Sequence, residues 1–222
     1  DPANPGRVTG VTGWDLLGRR QRSFSADTVV LAAGTIESAK ISLQSGLADP
    51  NGKVGKGITD HTIRYRHFTL PPGAAQASTT DSAKVLLQHP GATPDQHAFD
   101  IVVELGADFN QGRYIDAGDL AHQRASRGDW MLGEIVFMNY APLNEANQVL
   151  VTGDPANPVE VTCHPAPPSG ADLAEQDAIA AAVFGAFGAQ PVLGEGGLWL
   201  QTADLGGVAH EVGALRLADH LV

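Results

Sequence analysis

The sequence predicts an α/β unit followed by a larger α+β unit built mainly on antiparallel strands. Three observations carry that expectation. An almost unbroken apolar run at residues 28–33 ends in Gly34 and a helical pattern. Several short strand patterns then follow, separated by turn-rich loops, and one apolar helical stripe comes late in the chain.

Residues 7–11 and the stretch to Phe24 read as a small antiparallel meander around a polar hairpin at Leu17-Gly18-Arg19-Arg20. Thr28, Val29, Val30, Leu31, Ala32 and Ala33 are expected to form a strand covered on both faces. Gly34 allows a sharp turn, and Thr35 is expected to cap a helix. The apolar face of that helix carries Ile36, Ala39, Leu43 and Leu47, with Gly46 as its C-cap. Strand, glycine turn and helix in this order are how nucleotide-binding α/β domains are assembled.

Residues 49–57 are loop, dense in Gly, Asn and Pro. From His61 the pattern alternates, with Ile63, Tyr65, His67 and Thr69 against Thr62, Arg64, Arg66 and Phe68, and neither face is cleanly apolar. A linker at 71–81 precedes strand patterns at 83–87, 98–105, 134–140, 148–152 and 159–163. Asp172 with Glu175 then makes a capping box for a helix with the stripe Ile179, Val183 and Phe187, which Gly185 and Gly188 weaken toward its end. A glycine-rich segment follows from about Gly194.

A chain of 222 residues can bury a real core, in one domain or two. Its formal charge of -11 argues against a nucleic-acid or anionic-membrane surface. No apolar run is long enough to cross a bilayer, and the first residues have neither the basic start nor the apolar segment of a signal peptide. Both ends read as the interior of a longer protein. The single Cys163 excludes an internal disulfide framework and reads as a small packed side chain rather than a nucleophile. The chain is expected to be soluble; its compartment stays open, with the cytoplasm favoured, and its oligomeric state is not indicated.

Two histidine neighbourhoods carry candidate chemistry. Asp60-His61 follows the loop Gly55-Lys56-Gly57-Ile58-Thr59, which either presents backbone N–H groups to an anion or simply begins a polar strand. A metal set of Asp60, His61 and His67 is set aside, because residues seven apart in a loop and strand need not converge. His210-Glu211 lies among glycines. A histidine can take a proton from an alcohol near neutral pH, since its reference pKa is about 6.5. The other reading is a structural or surface histidine. Ser38, Ser42 and Ser45 lack a nucleophile elbow and are expected to bond backbone. No phosphate-loop motif occurs, and Glu104, Asp108 and Asp116 are too scattered to act as paired carboxylates. Trp130, Phe137 and Tyr140 either line a pocket or belong to the sheet core.

Five segments in order resemble the glucose-methanol-choline family of flavin-dependent oxidoreductases. Arg7-Val8-Thr9-Gly10-Val11 is similar to the family's strand before its meander, and VVLAAGTIESAK (29–40) with Ser45-Gly46-Leu47 to its VVLAAG segment and helix. Residues 54–61 are similar to its VGKxLxDH loop, residues 146–151 to its NRVTL strand with Gln148 in place of arginine, and residues 210–217 to its HExGTxRM segment. The middle of the chain, about residues 68–133, diverges. The resemblance implies a partial α/β FAD-binding domain (1–61), an α+β, mainly antiparallel-sheet substrate domain (62–193) and a truncated segment returning to the active site (194–222). It implies FAD as cofactor, with Ala33, Gly34, Asp60 and His61 beside it, and no metal. It also implies oxidation of a CH-OH group in a small alcohol or sugar-like substrate, with hydride passing to flavin N5 and His210 as the catalytic base.

The departures from the family are specific. The amino-terminal Gly-x-Gly-x-x-Gly fingerprint is absent, as is the second catalytic His or Asn. Ala214 stands for the usual threonine, Leu217 and Ala218 stand for Met-Gly, and His220 is too close to His210 to be its partner. The expected product is an incomplete chain whose isolated form need not be active. The alternative is a noncatalytic binding or degenerate remnant protein on the same scaffold. The alcohol, and oxidase against dehydrogenase, stay open.

Overall fold

The computed structural model describes residues 4, 7–74, 82–87, 99–106, 117–128, 130–164, 166–203 and 210–216. Ala98, Asp108, Asp116, Leu217, Ala218 and His220 lie outside them. Two compact units divide the chain. The first comprises Asp1–Thr59, Leu143–His164 and Glu211–Val222, and the second Asp60–Pro142 and Pro165–His210. Every strand pairing among the described residues is antiparallel, and with three helices the fold is α+β.

In the first unit the expected hairpin forms from β1 (Gly10–Asp15) and β2 (Arg20–Ser25), with Val11 opposite Phe24 and Trp14 opposite Gln21. Asp15 fixes its turn by accepting from the Gly18 N–H at 2.9 Å and pairing with Arg22 at 2.9 Å. The apolar run that follows is not the buried strand that its composition predicts. Residues 26–34 have no regular structure, and Val30 is 82% exposed. A strand needs neighbours for its N–H and C=O groups, and no described strand pairs with this run.

Helix α1 (Thr35–Gln44) begins one residue earlier than expected, with Gly34 rather than Thr35 at its N-cap. Its end does follow the expectation. The Gly46 N–H donates to Leu43 and the Leu47 N–H to Ser42, the paired bonds of a Schellman motif, with Gly46 at φ 60°. The buried face is Ser38, Ala39 and Ser42, while Leu43 and Leu47 remain more than a third exposed. The reason is local. The core beneath α1 is small, formed by Ala39, Ile58, Val149 and Ala214, and only small side chains fit between the helix and β7 (Gln148–Val151). Strand β8 (Val159–Thr162) completes this ribbon, with Val149 opposite Val161. Cys163 beyond it is exposed rather than packed, because the pair ends at Thr162 and the chain leaves the small core there.

The second unit is built on one five-stranded sheet in the order β4-β5-β6-β3-β9: β3 (Thr62–Leu70), β4 (Ser82–Leu87), β5 (Phe99–Gly106), β6 (Met131–Asn139) and β9 (Gln201–Ala203). Strand β3 alternates as the sequence predicts, and both of its faces are buried, which is why neither reads as clean. One face meets α3 (Gly170–Phe187) in the main core, where the Phe68 and Phe184 rings sit 5.5 Å apart and those of Phe99 and Phe137 5.7 Å apart. Strand β6 starts earlier than its expected bound of 134. Its Gly133 lies opposite Phe68, whose ring comes within 2.4 Å of where a Cβ would stand, so a side chain there would displace the ring.

Helix α3 is capped one turn earlier than expected. Ser169 accepts from the Asp172 N–H at 3.1 Å while Asp172 accepts from the Ser169 N–H at 3.1 Å. Ser169 is the first residue after Pro167-Pro168 free to cap, so Asp172 becomes the third residue of the box. The stripe on the sheet is Gln176, Ala180 and Phe184, flanked by Ile179, Val183 and Phe187. Gln176 is buried because its Nε2 donates to Asn139 Oδ1 at 2.5 Å, and Asn139 in turn donates to the Thr62 carbonyl at 3.0 Å. Helix α2 (Ala117–Arg127) is an addition to the sequence reading. Its inward residues are Leu120 and a polar Gln123, too weak a stripe for periodicity to reveal.

Candidate functional site

The first unit holds a groove of about 400 Å³ between the segment Leu31–Ser38 and the arm Val212–Arg216. One wall is the start of α1. Its N-cap, Gly34, at φ 79°, supplies no side-chain cap, and the space where a Cβ would stand is open. Ala33 donates its N–H to Ser38 Oγ at 3.1 Å, which bends the apolar run onto the helix. Thr35 donates its hydroxyl to the Glu211 carbonyl rather than capping α1, and so fixes the arm beside the helix start. Ser42 donates to the Ser38 carbonyl at 2.8 Å; Ser38 and Ser42 thus have the backbone roles expected of them.

The arm is held by the glycine loop. Thr59 and Val212 exchange both backbone bonds at 2.9 Å, and the Gly55 N–H donates to Ala214 at 2.7 Å. The Gly57 N–H donates to Asn147 at 2.7 Å and that of Lys56 to Lys53 at 3.0 Å. The N–H groups of Gly55, Lys56, Gly57 and Thr59 are therefore engaged inside the unit, which takes these four from the reading in which the loop faces an anion. The glycines serve close approach: a Cβ on Gly213 would stand 2.3 Å from the Gly57 carbonyl oxygen. Ala214 is fully buried.

Glu145 joins three loops, a role the sequence reading missed. It meets Lys53 Nζ at 2.5 Å and Arg216 Nη2 at 2.9 Å. The Lys53 hydrogen bond first, and then that of Arg216, holds its carboxyl down to about 2. The available signal was an acid just before the Asn147-Gln148-Val149 segment, which one sequence does not separate from a solvated loop charge.

Asp60, His61 and His210 fall in the second unit. The His61 and His210 rings meet edge to face, with centroids 5.9 Å apart and planes at 89°. They are 149 positions apart in the chain (210 − 61). His210 is exposed and His61 half-buried. Asp60 is 5% exposed; its Oδ1 accepts from the His61 N–H at 2.7 Å, whereas its Oδ2 is buried without a hydrogen-bond partner. His67, once weighed with Asp60 and His61, lies instead between Glu134 and Glu195. Of the three aromatics weighed for a pocket, Phe137 is core, Trp130 lies under the Arg127 guanidinium at 4.4 Å, and Tyr140 is 66% exposed. Among the described residues no helix is long and apolar enough to cross a membrane.

No family model matches the chain, and no curated protein matches it.

Proposed function

We propose that this chain is part of an FAD-dependent oxidoreductase that acts on the CH-OH group of an alcohol or sugar-like donor, with His210 as the base. The observation that carries the reading is the meeting of His61 with His210, from two segments that resemble the same family's motifs. The residues present fit the cofactor in two respects. The groove beside Gly34 offers an uncapped helix start, where the first N–H groups lack intrahelical acceptors, next to the apolar Leu31 and Ala32. In the second unit, taken by itself, the Asp60 Oδ2 that is orphaned among the described residues is an acceptor for a polar hydrogen of a group bound beside His61. Bound FAD supplies the acceptor for the two electrons that leave the carbinol carbon.

The chain's own residues do the rest. An imidazole nitrogen of His210 takes the hydroxyl proton of the alcohol, and its exposure leaves it reachable by a substrate. His61 restricts the His210 ring by edge contact, and Asp60 fixes the backbone at His61. Gly34, with Leu31 and Ala32, lines the groove proposed for the cofactor, and Ala33 holds that wall by its N–H bond to Ser38.

The test is anaerobic reduction of the FAD-loaded protein by a panel of alcohols and sugars. His210→Ala is expected to slow bleaching of the flavin by about 10²–10⁴-fold while FAD binding is retained. Unchanged bleaching would reject the base role. A noncatalytic binding or remnant protein is the second reading, favoured by the unpaired, exposed run at 28–33. A folded protein without FAD binding would establish it over the first.

A further inference from the structure

A row of charges crosses the second unit's sheet at one register level. Lys84 of β4 is opposite and paired with Glu104 of β5, Glu104 is opposite Glu134 of β6, and Glu134 is opposite His67 of β3. His67 Nε2 is 3.5 Å from Glu134, and its Nδ1 is 3.4 Å from Glu195. Glu195 reaches the row from outside the sheet. Strand β3 pairs with Gln190 at Thr69 and with β9 at Ile63–Tyr65, so residues 191–200 loop out between these points. Glu195 fills the gap: its carbonyl accepts from Arg66 Nη2 at 2.8 Å, and its carboxylate lies 3.2 Å from the same nitrogen.

The loop is shaped for this latch. Trp199 lies over Arg66, with the guanidinium carbon 5.2 Å from the ring centroid. The same ring covers Gly196 and Gly197, where Cβ atoms would stand 2.7 and 2.2 Å from it. On the α2 side, Gln123 accepts from the Leu193 N–H at 3.0 Å, Arg127 donates to Thr69 and the Pro191 carbonyl, and Asp119 lies against Gly194. On α3, Asp177 pairs with Arg64 at 2.8 Å, and on β3 itself the Tyr65 ring meets the His67 ring at 5.5 Å.

We propose that protonated His67 is the keystone of this row, and that its deprotonation unlatches residues 191–200 from β3. With His67 charged, Lys84, His67 and Arg66 balance Glu104, Glu134 and Glu195. With His67 neutral, Glu134 faces Glu104 with no cation on its other side, and like charges directly opposite destabilise a sheet. Burial pushes His67 toward its neutral form, but the carboxylates of Glu134 and Glu195 more than offset that and hold its pKa above 6.5. The sign follows from linkage. The stabilisation is fully present below the unfolded-state value of about 6.5 and is lost as pH rises through the higher native value. The device stands whether or not the protein binds a flavin.

The test combines an NMR titration of the His67 ring with hydrogen exchange in the full chain, expressed as protection relative to free-peptide rates. The His67 midpoint is expected above 6.5, and protection of the Leu193 and Glu195 amides should fall through it while β5 amides hold. The fall should reach about tenfold for each pH unit by which the midpoint exceeds the ordinary value. In His67→Gln the step should vanish. In Glu134→Gln, which keeps the histidine and covers the case of a poorly folded first variant, the step should move to lower pH. A midpoint at or below 6.5, a wild-type step in His67→Gln, or an unmoved step in Glu134→Gln would overturn the proposal.

Discussion

Residues 28–33 and β3 are opposites in sequence and opposites again in the fold, but the reverse way round. The first is nearly all apolar and lies exposed, with no strand partner among the described residues. The second carries two arginines, a histidine and two threonines, yet is an interior strand of the five-stranded sheet and buried on both faces. What separates them is partners. Strand β3 has β6 on one side and β9 with Gln190 on the other, and Arg64, Arg66 and His67 each meet acids or carbonyls. A polar side chain can be buried when its hydrogen bonds and charges are matched. The apolar run has no strand among the described residues to be buried against.

The comparison is sharpest in stability. Phe68→Ala empties the centre of the main core and is expected to cost about 3–5 kcal/mol, whereas Val30→Ala should stay within about 0.5 kcal/mol. Urea unfolding midpoints of the two variants check this, and a comparable loss in both would break the contrast. Next in size is Asn139→Ala, which leaves the fully buried Gln176 Nε2 and the Thr62 carbonyl without their partner. It should cost about 1–3 kcal/mol. The smallest is Ser169→Ala at the start of α3, expected at about 1 kcal/mol from the lost capping box. A negligible effect would mean that the helix is held by its packing on β3 alone.

Much of the fold was legible because local chemistry decides it. The hairpin, the alternation of β3, the Gly46 turn and strands β4, β5 and β6 of the larger sheet follow from turn residues and period-two patterning, whereas β9 lies in a stretch that reads only as glycine-rich. The failures share a cause. The run at 28–33, the small-residue face of α1 and the helix α2 depend on what lies opposite them, which periodicity does not contain. At the candidate site, Asp60, His61 and His210 were legible as residue types next to glycine-rich segments, and their meeting was not. The engagement of the Gly55, Gly57 and Thr59 N–H groups with Ala214, Asn147 and Val212 was illegible for the same reason, since the acceptors lie about 90 to 160 residues away in the chain.

The most direct measurement is hydrogen exchange at residues 28–38, 212–216 and 62–70, with and without saturating FAD. Without FAD, amides at 28–33 should exchange near the free-peptide rate, while those of β3 are strongly protected. With FAD, the first two stretches should gain protection and β3 should be unchanged, as expected of a cofactor seated in the groove beside Gly34. Identical exchange with and without FAD at 28–38 and 212–216 would contradict the account.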